Sequence, residues 1–299
     1  MKKKLPKVLA IVGPTATGKS DLAVEVALLY DGEIISADSR QVYKGMDIGT
    51  GKITVSEMKG IPHYLLDVIE PKKVFDVELF KTKAEKTIAD IVSREKLPIV
   101  AGGTGFYIDA LISGEIFPDV PANKKLRAIL AKKSAEALMK EITKLDPRRA
   151  KALDPFNKVR IIRAIEIARA LGSVPMVKRV KRYETLFIGL TLDSVKLREK
   201  IHIRLLKRID VGMIKEISNL HKKGLSWKRL HDLGLEYRYV ALYLQKKITK
   251  EEMVTQLEQE IAHYAKRQMQ WFKRNTDIKW FAPGENKKIA REVKKFLKN

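Results

Sequence analysis

Cysteine is absent from the 299 residues. That absence removes disulfide frameworks, zinc knuckles and thiol catalysis together, and it suits a reducing compartment. Long hydrophobic runs are missing near the start as well. Met1-Lys-Lys-Lys-Leu-Pro-Lys7 imitates the basic opening of a signal peptide, but the apolar run that follows, Val8 to Val12, is five residues long and stops at Gly13-Pro14. It is too short for a signal peptide or a membrane span, so a soluble cytoplasmic protein is expected. The five histidines (63, 202, 221, 231 and 263) show no metal-ligand spacing. There is no internal repeat and no low-complexity linker. At 45% hydrophobic and 32% charged, the chain is neither a disordered tail, nor a fibre, nor a membrane channel. Its length suits one large domain or two modest ones.

Acidic charge is scarce in one part of the chain only. Residues 1–120 carry 16 basic and 17 acidic side chains, whereas residues 121–183 carry 18 against 5 and residues 184–299 carry 26 against 14. The formal net charge is +24. A surplus confined to the last two segments is the footprint of a polyanion partner, whose phosphates release counterions when neutralised. Solvated helix faces in a basic proteome would also give a surplus, but that bias should raise the first segment too. No stretch combines a long apolar face with a basic one, so a membrane surface is not the expected partner.

The pattern of elements is strand, glycine loop, helix, then more strands. Val8 to Val12 is a short apolar run of buried-strand type, and Leu22, Val26 and Leu29 repeat at helical spacing from Ser20 to Tyr30. Glu33 to Ser36 predicts a second strand, Phe80 to Arg94 a helix, and Pro98 to Ala101 a third strand before Gly102-Gly-Thr-Gly105. Strands alternating with helices predict a doubly wound α/β core. Pro118-Asp-Val-Pro121 marks a boundary, and Asn123 to Leu171 carries only helical patterns, closed by Gly172 and Pro175. Strand character returns at Leu186 to Thr191, and Glu251 to Lys273 is helical again. The expected architecture is therefore an α/β core over 1–120 and 184–299, with a helical C-terminal part and a basic helical insertion at 121–183.

Gly13-Pro14-Thr15-Ala16-Thr17-Gly18-Lys19-Ser20 fits the phosphate-binding loop pattern G-x-x-x-x-G-K-[ST]. Its glycines let backbone N–H groups turn around a phosphate, and the following helix aims its positive end at the anion. Lys19 is expected on the outer phosphate and the Ser20 hydroxyl on Mg²⁺. Strand before and helix after make a chance match a poor explanation, although the pattern does not say which diphosphate or triphosphate binds. Asp38 and Thr104 each follow a strand at the carboxyl edge of the sheet, where ligands of open α/β folds bind. Asp38 is a general base, a Mg²⁺ partner or a turn aspartate, and Thr104 a phosphate-directed hydroxyl or a cap. Arg160 and Arg163 share a helical face that suits RNA phosphates, or Arg163 simply pairs with Glu166 at i,i+3. His263 to Arg274 interleaves bases with aromatics, as single-stranded RNA binders do; Trp271 is expected in the core with Lys and Arg outside.

These residues add up to a family. The loop from Gly13 to Ser20, Ile35-Ser-Ala-Asp-Ser-Arg-Gln-Val-Tyr43, Met46-Asp-Ile-Gly-Thr50 and His63-Tyr-Leu-Leu-Asp67 occur in order. Gly102-Gly-Thr-Gly-Phe-Tyr107, Arg160-Ile-Ile-Arg-Ala-Ile-Glu166, Gly234-Leu-Glu-Tyr-Arg238 and Lys266-Arg-Gln268 complete the series. Together they closely resemble the bacterial tRNA dimethylallyltransferase (tRNA isopentenyltransferase) family, from about Leu9 to Phe272. The phosphate loop alone is common; the Asp38 to Tyr43 segment joined to Met46 to Thr50 is far more specific.

The resemblance implies a P-loop core that moves a dimethylallyl group from its diphosphate to N6 of adenine 37, beside the tRNA anticodon. It implies Asp38 as general base, Thr104 and Arg127 attending the diphosphate and tRNA, and Lys19 and Mg²⁺ on the departing diphosphate. It implies tRNA contacts from Asp38, Ser39, Arg40 and Gln41, and from Val159, Arg160, Ile161, Ile162 and Arg163. Tyr237, Arg238, Lys266, Arg267 and Gln268 complete the expected RNA contacts. Lys158 departs from the acidic or neutral residue that commonly follows the asparagine at 157, and the C-terminal zinc finger of eukaryotic relatives is missing. A monomer is expected. The rival readings are a small-molecule kinase on the same core, a prenyltransferase of free adenine nucleotides, and a non-enzymatic RNA-binding protein. The first leaves the basic segments without a partner, the second does not need the basic insertion, and an intact Gly18-Lys19-Ser20 speaks against the third.

Overall fold

A computed structural model describes residues 4–298, so Met1 to Lys3 of the basic opening lie outside the described residues. The strands are β1 (Lys7–Val12), β2 (Gly32–Ser36), β3 (His63–Tyr64), β4 (Leu97–Gly102), β5 (Glu115–Ile116), β6 (Lys178–Arg179), β7 (Glu184–Leu190) and β8 (Ile278–Phe281). Six of them form one sheet in the order β3-β2-β4-β1-β7-β8, and every pairing in it is parallel. The residues predicted as strands fall inside β1, β2, β4 and β7 apart from Thr191, because continuous Val/Ile/Leu runs are what a parallel sheet covered on both faces requires. Two strands of this sheet were not predicted. β3 is two residues long, and β8 is a short edge strand, so neither carries a pattern of its own.

Alternation along β1 shows the two covered faces. Leu9 and Ile11 pack with Leu22 and Val26 of α1 (Lys19–Leu29) on one side, and Val8, Ala10 and Val12 belong to the core on the other. That second core takes in α2 (Val77–Ser93) and α3 (Gly105–Ile112). In chain order, α4 (Lys124–Ala131), α5 (Ala135–Leu145), α6 (Pro147–Lys151) and α7 (Lys158–Leu171) follow. The chain then forms α8 (Ser194–Asp210), α9 (Met213–Lys222), α10 (Trp227–Leu233), α11 (Leu235–Leu244) and α12 (Lys250–Phe272), which join the same core as α2 and α3. α13 (Asn286–Lys298) returns to the α1 side through Ile289 and Val293. α12 starts at a capping box, with Thr249 and Glu252 each bonding the other's backbone N–H.

Glu115–Val180 is a compact unit distinct from the rest of the chain. It begins before the insertion expected at 121–183 and ends within it, and the antiparallel pair β5–β6 joins its two ends. Its own core contains Leu130, Leu138, Ile142, Ile161 and Ile165 from α4, α5 and α7. Among the described residues no helix is long and apolar enough to cross a membrane.

A buried charge ties the edge of the main sheet. Glu33, 1% exposed, receives Arg94 Nη1 at 2.6 Å, Arg94 Nη2 at 2.7 Å and the Tyr64 hydroxyl at 2.8 Å. The Arg94 bonds hold its carboxyl down to about 2, against the usual 4.5. A depressed carboxylate stabilises the fold fully above its unfolded value and loses that contribution as pH falls through the folded one. Glu33→Gln is expected to cost about 1–3 kcal/mol at pH 7, the figure being moderated by the partly exposed Arg94. In urea titrations the gap between variant and parent should close as pH drops from about 4.5 to about 2.

Candidate active site

The loop between β1 and α1 is built by backbone constraint. Gly13 and Gly18 sit at φ 139° and 86°, and Ala16 at φ 63°. Gly13 also lies against the Leu190 carbonyl at the end of β7, where a Cβ would collide. The Thr17 hydroxyl donates to the Pro14 carbonyl at 2.9 Å, closing the turn from inside. Gly18 supplies no side-chain cap, so the first amides of α1 are left for a ligand. Lys19, half-buried, donates to the Pro14 carbonyl at 2.6 Å. Burial and the Arg204 charge lower its ammonium to about 7, with Asp38 pulling the other way.

A cavity of about 810 Å³ opens beside this loop within the main unit. Thr15, Ala16, Gly18, Lys19 and Ser20 line it, together with Asp38, Ser39, Arg40 and Gln41 from the segment after β2. Asp38 Oδ1 accepts the Arg40 N–H at 2.8 Å and the Gln41 N–H at 3.3 Å, so the turn-aspartate reading describes one of its oxygens. Oδ2 makes no hydrogen bond to a described residue. Thr104 occupies the cap position of α3 without capping it; its Oγ1 instead accepts the Ser39 N–H at 3.1 Å. Thr104 therefore holds the Asp38 segment in place.

Several contributors carried no signal of their own in the sequence. Lys200, Arg204 and Arg208 recur every fourth residue on α8, the one pattern that could have revealed them, and all three line the cavity. Arg204 makes no hydrogen bond to a described residue; the crowded cavity wall and Arg208 lower it to about 10. Arg208 is instead engaged by Glu236 at 3.1 Å, whose carboxyl burial pushes up. Glu216 accepts the N–H groups of Asp47, Ile48 and Gly49 at 2.9, 2.6 and 3.1 Å, which pins the loop beside the cavity.

Three of the residues expected to touch RNA are buried. Tyr237 is 1% exposed and donates its hydroxyl to Glu216 at 3.0 Å. Ile161 is wholly buried in the core of the insertion. Gln268 is 6% exposed and acts as a strut: its Oε1 accepts the Thr15 N–H at 2.8 Å and its Nε2 donates to the Gly103 carbonyl at 2.9 Å. Gly103 and Gly105 are glycine because Gln268 and Trp271 occupy the space a Cβ would take. Trp271, expected in the core, is partly buried and gives its indole N–H to Asp109 at 2.8 Å. Arg238 and Arg267 line the cavity, and Lys266 is exposed on α12.

In the insertion, Val159 and Arg160 are exposed at the start of α7, and Ile162 and Arg163 are partly so. Arg163 and Arg127 both bond Glu166, at 2.5 and 2.6 Å. Burial alone would raise the Glu166 carboxyl, but these two guanidinium groups outweigh it and bring it to about 2. The pairing of Arg163 with Glu166 is thus present. Arg127 keeps its Nη1 free of hydrogen bonds to described residues and is 43% exposed along its side chain.

A glycine loop after the first strand of a parallel sheet, opening with a lysine and a serine onto a helix, defines a P-loop α/β enzyme core. The model of the IPP transferase family matches residues 41–275. A curated relative, tRNA dimethylallyltransferase 2 of Treponema denticola, is 45% identical over 272 residues, 89% of this chain and 91% of that protein. The tRNA dimethylallyltransferase of Anoxybacillus flavithermus is 39% identical over 97% of this chain and 95% of its own length. Among solved structures, the tRNA isopentenylpyrophosphate transferase of Bacillus halodurans superposes with a TM-score of 0.75 at 35% identity, covering 98% of this chain and 97% of that one. A eukaryotic dimethylallyltransferase described as acting on tRNA gives 0.81 at 26% identity, over 93% of this chain and 74% of that one. The chain belongs to the IPP transferase family.

Because Gln268 joins the loop to β4, Gln268→Ala is expected to strand a buried N–H and a carbonyl and to cost about 1–3 kcal/mol. The loss should appear in thermal melts of the protein alone. A role in RNA contact would instead leave the melt unchanged and weaken RNA binding only.

Proposed function

We propose that the chain transfers a dimethylallyl group from dimethylallyl diphosphate to N6 of adenine 37 of tRNA, releasing diphosphate. The observation that carries this reading is one cavity holding both an open phosphate loop and Asp38, in a chain of this family. Bond-making and bond-breaking balance simply. N6 of adenine attacks the allylic carbon, the carbon–oxygen bond to the diphosphate breaks, and the N6 proton passes to Asp38. The adenine amino group is a weak nucleophile, so a carboxylate with an unengaged oxygen suits the task. The base must leave its stack to reach the cavity, which calls for a basic surface that grips the RNA.

The phosphate loop serves a leaving group here, with no phosphoryl transfer. The amides at the start of α1, the Lys19 ammonium and the Arg204 guanidinium stabilise charge as it grows on the departing oxygen. Arg204 takes the place first expected for Arg127, which fits an RNA phosphate through its free Nη1. Ser39, Arg40, Gln41, Arg238 and Arg267 border the entrance for the nucleotide, with Lys266 on the exposed side of α12, and Val159, Arg160, Ile162 and Arg163 offer surface in the insertion. Among the described residues no cluster of three or more His, Cys, Asp or Glu could hold a metal ion. That sparse donor set fits Mg²⁺, which keeps several waters and binds mainly through substrate phosphates with one or two protein oxygens. The exposed Ser20 hydroxyl would hold it, and it would supply further neutralisation of the diphosphate. A cytoplasmic, monomeric enzyme without membrane contact completes the reading.

The test is to incubate the protein with Mg²⁺ and dimethylallyl diphosphate plus unmodified tRNA or AMP, and separately with ATP plus candidate alcohols, and to weigh the products. A prenyl adduct on tRNA alone is expected. Asp38→Asn sharpens the test, since asparagine keeps the size and the turn but cannot take a proton. Single-turnover transfer should fall roughly 10²–10⁴-fold while both substrates bind within about threefold of the parent.

The lysine makes a pH prediction. With Lys19 near 7 in the free protein, an anion on the loop favours its protonated form. Diphosphate binding at pH 8 should therefore take up a proton, and affinity should fall as pH rises through the region above 7. Calorimetry in buffers of different ionisation enthalpy reads the uptake. Lys19→Arg, which stays charged, should abolish it, and an unchanged uptake in that variant would assign the proton elsewhere.

A further inference from the structure

The insertion shows a large aromatic side chain with no use in its own fold. Phe156 is 87% exposed, and Val159, three residues on, is 79% exposed. Phe156 immediately precedes Asn157, whose side chain caps α7 by accepting the Arg160 N–H. At that position an apolar residue commonly folds back onto the fourth helical residue as a hydrophobic staple. Here the fourth residue is Ile161, which is wholly buried in the insertion core, and Phe156 does not join it. The loop is nevertheless held in shape. Asp154 Oδ1 accepts the Phe156 N–H at 3.0 Å, and Lys158 Nζ reaches the Ala131 carbonyl at 3.0 Å. The ring is displayed by an ordered turn.

The charge around it selects the kind of partner. Residues 115–180 carry 16 basic and 7 acidic side chains. The acids are largely spent inside the unit: Glu166 on Arg127 and Arg163, Glu141 on Lys133 and Arg169, Glu115 on Arg179. Asp154, the acid nearest Phe156 in sequence, has one oxygen on the Phe156 amide. Arg160 is exposed and makes no ion pair with a described residue. An exposed ring with an uncommitted cation four residues on in the chain suits an unpaired nucleotide, with the base on the ring and the phosphate on the cation.

We infer that Phe156, with the exposed Val159 and Arg160 in the helix turn that follows it, is a stacking platform for an unpaired base of the RNA substrate. This rests on the tRNA reading above and adds to it a specific contact in the insertion. The platform tolerates any base, since every base has a π-face, and it orders single-stranded RNA without reading its sequence.

The test uses the full chain and an anticodon stem–loop carrying 2-aminopurine at one unpaired position at a time. One position is expected to change fluorescence on binding to the parent protein and not on binding to Phe156→Ala. That variant should bind the stem–loop roughly 5- to 100-fold more weakly, with an unchanged melting temperature and an unchanged salt slope. Phe156→Trp should retain affinity, and Phe156→Leu should lose it nearly as fully as alanine. Full affinity in the leucine variant would show an ordinary apolar contact and overturn the platform. So would binding by the alanine variant within twofold of the parent, or a change in self-association without RNA. If the parent protein does not bind the stem–loop at all, the tRNA reading fails and takes the platform with it; if the parent binds and only the variants disagree, the platform alone fails.

Discussion

A loop that is to hold a diphosphate must be stiff while its amides and its lysine remain available, and the Gln268 side chain meets that demand. Its carboxamide bonds the Thr15 N–H on one side and the Gly103 carbonyl on the other, so one residue of α12 fixes the phosphate loop against the end of β4. The rest of the site follows from that junction. Gly103 must lack a side chain to admit the strut, Thr104 then falls where its hydroxyl receives the Ser39 amide, and Asp38 is held on the same wall of the cavity. Remote helices thereby stiffen a loop whose own hydrogen bonds are few.

Electrostatics divides the molecule along the same lines. Lys19 and Arg204 stand on the cavity wall; the ammonium is lowered to about 7, where an incoming anion favours its charged form, and the guanidinium stays charged. The neighbouring Arg208 is paired with Glu236. In the insertion, by contrast, the acids are paired within the unit and the surplus is basic. One region gathers positive charge around a cavity, and the other carries it on the surface of a helical unit.

Local chemistry explains how much was legible in the sequence. Parallel strands announce themselves as apolar runs, the phosphate loop as glycines at fixed offsets, and the helix ends as caps such as Asn157 and Thr249. Contacts between distant segments announce nothing. Glu216 pins Asp47 to Gly49 from more than 160 residues away, and nothing local to α9 marks it for that work. Gln268 and Tyr237 are the converse case. Both lie in motifs of the family and were expected to touch RNA, yet both are buried and hold loops of the site. A motif shows that a residue is needed; only its burial shows whether ligand or fold needs it. β8 and α13 stayed invisible for a plainer reason, since a four-residue edge strand and a strongly basic helix resemble exposed chain until their partners are known.

Asp38 shows why a structural and a chemical role need not compete. A carboxylate has two oxygens, and the turn from Arg40 to Gln41 uses only Oδ1. Those two backbone N–H bonds fix the plane of the group, and with it the direction of Oδ2. An aspartate free of the turn would sample several rotamers, and a proton acceptor placed by chance forfeits much of the advantage of proximity. The hydrogen bonds that make Asp38 look like an ordinary turn residue are thus the ones that would orient it in the proposed role of base.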